Sequence, residues 1–282
     1  VVQAVNSSVS TYLPNSAISK INRGDPTVVV DAIFKEVFRI SGIVHTNSEG
    51  YFDPTVGALR NAHGFGGTAP LREMDSRMLD SLGQLVGFDK IEILKDGTVK
   101  KTDPAIYIDF NAVAKGYAID LIGGYFNKKK INNYLIELGG ELLASGTNVL
   151  KQKPWAVGIE TPNSAPGDRQ VAETVALYDQ GMAASGNYRK FRIDTLTGKK
   201  YVHTIDPLTG KAEESNVTSA TIVAPTCALA DAYATACMAM GFAKAVKMLE
   251  QTAAVEGYIT YLDSLAQPRV FVTGGFKKLL HH

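Results

Sequence analysis

The stretch "TIVAPTCALADAYATACMAMG", residues 221–241, changes its character at Pro225. The β-branched residues before the proline favour a strand, and the Ala-rich residues after it favour a helix. Asp231 and Thr235 stand four residues apart in the helical part and therefore share one helix face. They are either structural, with the acid capping or salt-bridging and the hydroxyl bonding within its own helix, or half of a metal site. Spacing alone favours the structural alternative.

Outside this stretch, the composition is that of an ordinary globular protein. The chain has 282 residues, of which 45% are hydrophobic and 20% charged, and its net charge is +1. This length allows one large domain or two. The near-neutral charge removes the case for a bulk attraction to nucleic acid or to an anionic membrane, although it leaves local patches open. No apolar run approaches the roughly 18 residues of a membrane span.

The cysteines and the chain ends give little information about the cellular compartment of the protein. Cys227 and Cys237 are ten residues apart in the Ala-rich helix, about 15 Å of helix rise, so they are expected to be small buried residues without a disulfide. The first residue is Val. We therefore expect a processed or trimmed start, with any signal peptide or lipid anchor in the missing segment. The final two histidines receive no functional weight.

The order of the elements predicts an α+β fold. An Asp-Pro start, followed by apolar residues at helical spacing, predicts a helix that ends at Gly42. After about residue 90 strands follow in runs, interrupted by helices at about 116–128 and at the Ala-rich stretch, which favours largely antiparallel sheets with helices packed on them. Residues 161–170 resemble a hairpin loop. No composition shift marks a boundary, so residues 1–282 are expected to form one domain, with a helical part, about 1–90, packed on a β-rich part, about 91–282.

Residues 107–120, "YIDFNAVAKGYAID", carry the first further candidate site. A strand ends at Asp109, and Lys115 and Gly116 stand at the entry to a helix. A helix N-terminus with a lysine beside it favours a phosphate group. The structural alternative, an aspartate that closes a loop and a solvated lysine, is equally well supported by this segment alone.

Two more segments give weaker signals. In "NYLIELGGELLASG", residues 133–146, the Gly139-Gly140 pair predicts a turn or a place where a ligand approaches the backbone, and Glu141 is expected to be solvated. In "YVHTIDPLTGK", residues 201–211, a strand runs into a turn. A lone residue such as His203 is more often structural than catalytic, although near a diphosphate it could act as a donor or general acid.

Taken together and in order, eight segments resemble the ApbE family of flavin transferases. They are "STYLPNSAISKIN", "GYFDPTVGALRNAHGFG", "DFNAVAKGYAID", "LIELGGELLASG", "WAVGIETP", "AASGNYRKF", "HTIDPLTGK" and "VTSATIVAPTCALADAYATACMAMG". The resemblance covers nearly the whole chain. It implies an ApbE-like architecture related to the T-fold.

The resemblance also implies an activity. Such an enzyme binds FAD with Mg²⁺, breaks the diphosphate, and transfers FMN to a Ser or Thr hydroxyl at the flavinylation site of an acceptor protein, of the redox-pump subunit type, releasing AMP. The alternatives are a Mg²⁺-dependent FAD pyrophosphatase that gives FMN and AMP, and an exported FAD-binding protein without turnover. The family is typically exported to the periplasm, often as a lipoprotein, and no nucleic acid partner is expected.

Carried over position by position, the resemblance implies the site residues. The metal ligands would be the Ala112 carbonyl, Asp231 and Thr235, with Ala234 beside them on the same turn. Nine residues would contact FAD: Tyr12, Asn22, His63, Gly64, Phe65, Asp109, Lys115, His203 and Ile205. The base that takes the acceptor's proton is left open between Asp109, Asp231 and His203.

The chain departs from the family pattern at three points. It begins after the position of the family's Met-Gly-Thr segment, which closes over the flavin. Ala62-His63 stand where the family commonly has an aromatic residue before "GFG". Flavin stacking is therefore expected to be weaker, or to come from His63 and Phe65. Lys115 is the third point, since it is common in the family without being universal. Taken together, the three departures concern the contacts with the flavin ring more than the metal site.

Overall fold

The computed structural model describes residues 1–65, 75–161, 170–187, 191–193, 200–202, 204–212 and 215–280. The chain divides into two compact units: the first comprises Val1–Ala114 and Phe191–Glu214, and the second Lys115–Lys190 and Ser215–His282. The predicted single domain stays a prediction. His203 and most of the predicted hairpin loop lie outside the described residues.

The first unit is mainly helical. Its helices are α1 (Val2–Val9), α2 (Ala17–Asn22), α3 (Ala32–Asn47), α4 (Gly57–Ala62), α5 (Ser76–Gly83) and a 3-10 turn (Phe88–Lys90). Two antiparallel pairs accompany them, formed by the strands β1 (Ile91–Ile93) with β2 (Val99–Lys101) and β8 (Phe191–Ile193) with β9 (Lys200–Val202). Helix α6 (Asn111–Lys128) begins in this unit and belongs to the second from Lys115 onward.

Helix α3 corrects the predicted helix boundaries. It begins after Asp31, whose carboxylate accepts a hydrogen bond from the Phe34 N–H at 2.8 Å, and it continues past Gly42 to Asn47. A Cβ at Gly42 would lie 3.0 Å from the Phe88 ring. This glycine therefore makes room for an aromatic side chain and does not end the helix.

The second unit is built on an antiparallel sheet of six strands, in the order β12-β11-β10-β7-β4-β3. These strands are β3 (Tyr134–Leu138), β4 (Glu141–Ser145), β7 (Gln180–Gly186), β10 (Val217–Ala224), β11 (Glu256–Leu262) and β12 (Pro268–Val272). The pair β5 (Trp155–Glu160) and β6 (Val171–Leu177) forms a separate hairpin, and the helices are α7 (Cys227–Met240), α8 (Phe242–Gln251) and α9 (Gly274–Lys277). The apolar core includes Leu142, Leu177, Val223, Tyr258 and Phe276.

Small residues let α7 approach the sheet closely. The alanines at 228, 230, 232, 234 and 236 are fully buried. A Cβ at Gly181 on β7 would lie 2.3 Å from the Cys227 backbone nitrogen, so only glycine fits between this strand and the start of the helix. The Ala-rich composition of α7 is therefore a consequence of backbone approaching backbone.

The predicted α+β class, with largely antiparallel sheets, is confirmed. The strand predicted before Pro225 is β10, and the helix predicted after it is α7. Among the described residues, no helix has the length and apolar character needed to cross a bilayer.

Candidate functional site

The start of α7 is held by a carboxylate from α6. Asp120 accepts hydrogen bonds from the Cys227 N–H at 2.8 Å and the Ala228 N–H at 2.9 Å, and the Thr226 side chain accepts one from the Leu229 N–H. Three of the backbone donors that a helix start leaves without helical partners are thus satisfied. Burial raises the pKa of Asp120 from 3.8 to about 6, against the effect of the two N–H donors. Asp120 orients α7 and was missed as a functional candidate.

Asp120 makes stability depend on pH in a defined direction. Because its pKa is raised, the folded state binds a proton more tightly than the unfolded state, so unfolding becomes easier as the pH rises from 3.8 to about 6. The shift corresponds to about 3 kcal/mol. Urea unfolding gives the unfolding free energy of the wild type and of Asp120→Asn at each pH. We expect the wild-type value minus the variant value to fall by about 3 kcal/mol between pH 3.5 and 7. A difference that is flat or rises with pH would contradict the assignment.

Asp231 lies one turn into α7 and its carboxylate is buried, with 6% exposure. Its Oδ2 accepts a hydrogen bond from the Gly116 N–H at 3.3 Å. Burial raises the pKa of Asp231, the nearby Glu141 carboxylate raises it further, and Lys115 and the Gly116 N–H act in the opposite direction. The acid of the Ala-rich helix is therefore neither a helix cap nor a solvated group.

Lys115 links α6 to the turn between β3 and β4. Its ammonium pairs with the Glu141 carboxylate and lies 3.5 Å from the Gly139 carbonyl oxygen. The expectation that Glu141 is solvated was wrong, because this side chain is buried against the lysine, at 8% exposure. Gly139 and Gly140 both have positive φ, which confirms the predicted turn. Lys115, Glu141 and Asp231 thus form one charged cluster in the second unit.

In the first unit, the structure groups several predicted FAD contacts around Asp109. The Asp109 carboxylate accepts from the Arg60 guanidinium at 2.7 Å and from the Asn111 N–H at 2.8 Å. Asn22 makes two hydrogen bonds with the backbone of Ile108, each 2.8 Å. The Arg60 guanidinium also lies 3.4 Å from the hydroxyl of Tyr12, whose ring is 72% exposed.

Sequence reasoning missed Arg60. The partner carboxylate is 49 residues away in the chain, so no local pattern marks the pair. Arg60 does lie inside the segment "GALRNAHGFG" that carries part of the family resemblance, which was the one available signal.

The buried pair of Arg60 and Asp109 is expected to matter for stability. Arg60→Met leaves a carboxylate of 6% side-chain exposure without its cation, which should lower the unfolding free energy by about 3 kcal/mol. The double variant Arg60→Met/Asp109→Asn should recover much of this loss. Arg39→Met is the matched control, because the Arg39 side chain is 59% exposed in its pair with Glu36, and it should change stability by less than about 0.5 kcal/mol. Equal losses in Arg60→Met and Arg39→Met would contradict the prediction.

The remaining first-unit candidates contribute mainly to packing. His63 is 4% exposed, and its Nε2 donates to the Gly210 carbonyl oxygen at 2.8 Å. Ile205 is buried in an apolar cluster, and Phe65 packs against it. Gly64 has positive φ and lies between His63 and Phe65. Direct contacts of these residues with FAD stay predictions.

The predicted metal ligands belong to different units. Asp231, Ala234 and Thr235 lie on α7, where Ala234 is fully buried and Thr235 half-buried. Ala112 lies in the first turn of α6 and is part of the first unit. Their joint ligation of a metal stays a prediction. Among the described residues, no group of three or more His, Cys, Asp or Glu could hold a metal ion.

The chemistry of the second-unit cluster nevertheless fits a hard cation. Burial and the Glu141 carboxylate both disfavour the charge on Asp231, so a divalent ion beside it would relieve an existing cost. The carboxylate and the Thr235 hydroxyl are oxygen donors of the type that Mg²⁺ prefers, and Mg²⁺ commonly completes its shell with water and substrate phosphate.

Known proteins are similar to this chain in sequence and in fold. The model of the ApbE family matches residues 1–259. The FAD:protein FMN transferase of Haemophilus influenzae is 32% identical over 258 residues, covering 89% of this chain and 73% of that protein. The enzyme of the same name from Vibrio cholerae is 32% identical over 256 residues, covering 88% of this chain and 74% of that protein.

Solved structures agree with the sequence matches. The flavin transferase ApbE from Vibrio cholerae has a TM-score of 0.84 and 28% identity, covering 99% of this chain and 87% of that one. The ApbE protein from Thermotoga maritima has a TM-score of 0.85 and 25% identity, covering 99% of this chain and 88% of that one. The chain therefore belongs to the ApbE family, as the order of its sequence segments predicts.

Proposed function

We propose that this chain is a FAD:protein FMN transferase, which moves the FMN half of FAD onto a Ser or Thr hydroxyl of an acceptor protein and releases AMP. The names of its relatives support flavin transfer. The observation that carries the proposal is the cluster of Lys115, Glu141 and Asp231, which sets a cation beside a buried carboxylate of α7. Phosphoryl transfer depends mainly on such positioning and electrostatics.

Lys115 is the group suited to the FAD diphosphate. Its side chain is 41% exposed, so the ammonium is accessible, while Glu141 and the Gly139 carbonyl hold its position. An ammonium fixed in this way can bind a phosphate oxygen and stabilise the charge that develops as the diphosphate breaks. In the first unit, the exposed ring of Tyr12 offers a surface on which a planar ring system can stack.

Asp231 and the Thr235 hydroxyl, both on α7, would hold Mg²⁺. Bound there, the ion would withdraw charge from the diphosphate and so make AMP a better leaving group. The Gly116 N–H fixes one oxygen of Asp231. Asp120 fixes the direction of the helix that carries both side-chain ligands.

The proposed reaction exchanges one phosphorus–oxygen bond for another. The acceptor hydroxyl oxygen attacks the phosphorus of the FMN half, and the bond from that phosphorus to the bridging oxygen breaks. AMP leaves with the bridging oxygen and the electron pair, and the hydroxyl proton passes to a base. Asp109 is poorly suited to be this base, because its two oxygens already accept from Arg60 and the Asn111 N–H.

The activity can be tested with purified protein, FAD, Mg²⁺ and an acceptor subunit that is competent for flavinylation. We expect the acceptor to gain the mass of FMN less one water, with one AMP released per adduct. EDTA should abolish the adduct and added Mg²⁺ should restore it. FMN and AMP without an acceptor adduct would show a pyrophosphatase instead. FAD bound but intact after long incubation would show a binding protein without turnover.

We also propose that the enzyme is exported to the periplasm and carries a lipid anchor. We propose that its acceptor is a subunit of the redox-pump type. All three proposals come from the resemblance to the family.

A further inference from the structure

One end of the six-stranded sheet in the second unit is basic and carries an exposed apolar tip. Three loops form it: residues 129–133, residues 146–154 and the turn at 178–179. Five exposed lysines lie at this end, the first as the last residue of α6 and the others on the loops: Lys128, Lys129, Lys130, Lys151 and Lys153. We call this surface the lysine-rich end. It played no part in the proposed reaction.

Hydrogen bonds hold the three loops together. The Ser145 hydroxyl donates to the Asn132 carbonyl oxygen at 3.1 Å, and the Gly146 N–H donates to the Asp179 carboxylate at 2.8 Å. The Trp155 indole N–H, at the base of the second loop, donates to the Ser145 carbonyl oxygen at 2.9 Å. The lysine-rich end is therefore a built surface and not a set of independent loops.

The second loop presents apolar side chains at its tip. The Asn148 N–H donates to the Lys153 carbonyl oxygen at 2.9 Å, which closes the loop. Between these residues, Val149 is 62% exposed and Leu150 is 97% exposed. Ile131 on the neighbouring loop is 46% exposed. A braced loop that holds a leucine almost entirely in water suggests a surface that is covered in another state.

The charges around the tip are mainly positive. The carboxylate on these loops, Asp179, is engaged by the Gly146 N–H and the Ser145 hydroxyl. The Lys129 ammonium lies 5.8 Å from the ring centre of Tyr125, which is 51% exposed. Lysines, an aromatic ring and a protruding aliphatic tip are the combination found where proteins rest on a lipid surface.

We propose that the lysine-rich end docks on an anionic phospholipid bilayer, with Val149 and Leu150 inserted among the headgroups and the lysines against the lipid phosphates. A protruding tip suits a deformable lipid surface better than it suits a protein, which would need a matching cavity. Self-association is disfavoured, because a two-fold contact would bring the lysines of two copies together. The near-neutral net charge means that the attraction is local to this end.

The geometry keeps the bilayer away from the charged cluster. Strands β3 and β4 pair from Tyr134 with Ser145, at the lysine-rich end, to Leu138 with Glu141, beside Lys115. The five residues of β3 span about 15 Å. Docking therefore leaves the Lys115 end of the hairpin free.

Trp155 allows a direct test, since it is the chain's single tryptophan and lies at the base of the loop. Energy transfer from Trp155 to dansyl-labelled lipid should report binding to vesicles of phosphatidylcholine with phosphatidylglycerol. We expect at least about tenfold tighter binding to these than to vesicles of phosphatidylcholine alone. The preference should weaken in high salt.

Matched variants separate the lysine-rich end from general surface effects. Val149→Ser/Leu150→Ser and Lys151→Gln/Lys153→Gln should each weaken binding by about tenfold or more. The controls are Leu265→Ser, which replaces a leucine that is 75% exposed elsewhere in the same unit, and Lys95→Gln/Lys100→Gln, which removes two exposed lysines of the first unit. Both should bind as the wild type does.

Three kinds of result would overturn the proposal. The first is a negative result in the vesicle assay, either no binding to the anionic vesicles or equal binding by the loop variants and the control variants. The second is binding to polyglutamate that is as tight as binding to vesicles and independent of Val149 and Leu150, which would indicate an acidic protein partner. The third is a dimer in sedimentation that Val149→Ser/Leu150→Ser dissociates, which would indicate a second copy.

Discussion

Gly116→Ala is expected to destabilise the chain by about 3 kcal/mol or more and to abolish flavin transfer. A Cβ at this position would lie 2.5 Å from the Cys227 carbonyl oxygen and 2.8 Å from the Ala228 Cα. Both obstacles are backbone, so no side chain can rotate away. The helices α6 and α7 would have to separate, which would also remove the Gly116 N–H from the Asp231 carboxylate.

Gly124→Ala in the same helix is the matched control. A Cβ at Gly124 meets nothing within 4 Å, and alanine is the better helix former by about 0.5–1 kcal/mol. This variant should therefore be slightly more stable than the wild type and equally active. Urea unfolding measures both changes. If the two substitutions had similar effects on stability, the close approach of α6 to α7 would not be what restricts residue 116 to glycine.

Asp231→Asn is expected to separate stability from function. Flavin transfer should fall by about 10³-fold or more, because the amide cannot supply the charge that holds Mg²⁺. The melting temperature should stay the same or rise. The raised pKa of Asp231 means that its ionised form opposes folding near neutral pH, and the amide removes that cost along with the repulsion from Glu141.

Asp53→Asn controls for the loss of a buried acid outside the candidate site. Asp53 is 7% exposed, and burial raises its pKa as well. Its carboxylate accepts from Thr55 and from the Phe88 N–H, so the variant is expected to lose stability. Flavin transfer per folded molecule should be unchanged. If Asp231→Asn retained transfer, or melted far below the wild type, Asp231 would be a structural residue.

The sequence was informative wherever a signal is local. Pro225 separates β10 from α7, and the turn at Gly139 and Gly140 follows from the glycine pair, because backbone conformation is decided by neighbouring residues. The four-residue spacing of Asp231 and Thr235 likewise placed both on one helix. It could not decide their role, because that depends on what packs against the helix.

Signals that arise from distant residues were missed or misjudged. Glu141 resembled a solvated acid, since its partner Lys115 arrives from another element. Arg60 carried no local pattern, since Asp109 is reached only after folding. Gly42 resembled a helix stop because that is the common role of glycine, whereas here the Phe88 ring decides the position. In each case a tertiary contact overrode a local preference.

In the proposed reaction, Asp231 and Thr235 hold the divalent ion that acts on the FAD diphosphate. Crystals grown with FAD and Mn²⁺, a substitute for Mg²⁺ with measurable anomalous scattering, test it most directly. We expect an anomalous peak at about 2.0–2.4 Å from an Asp231 carboxylate oxygen and from the Thr235 hydroxyl, absent in crystals of Asp231→Asn. Manganese bound elsewhere, or bound equally in Asp231→Asn, would contradict the claim.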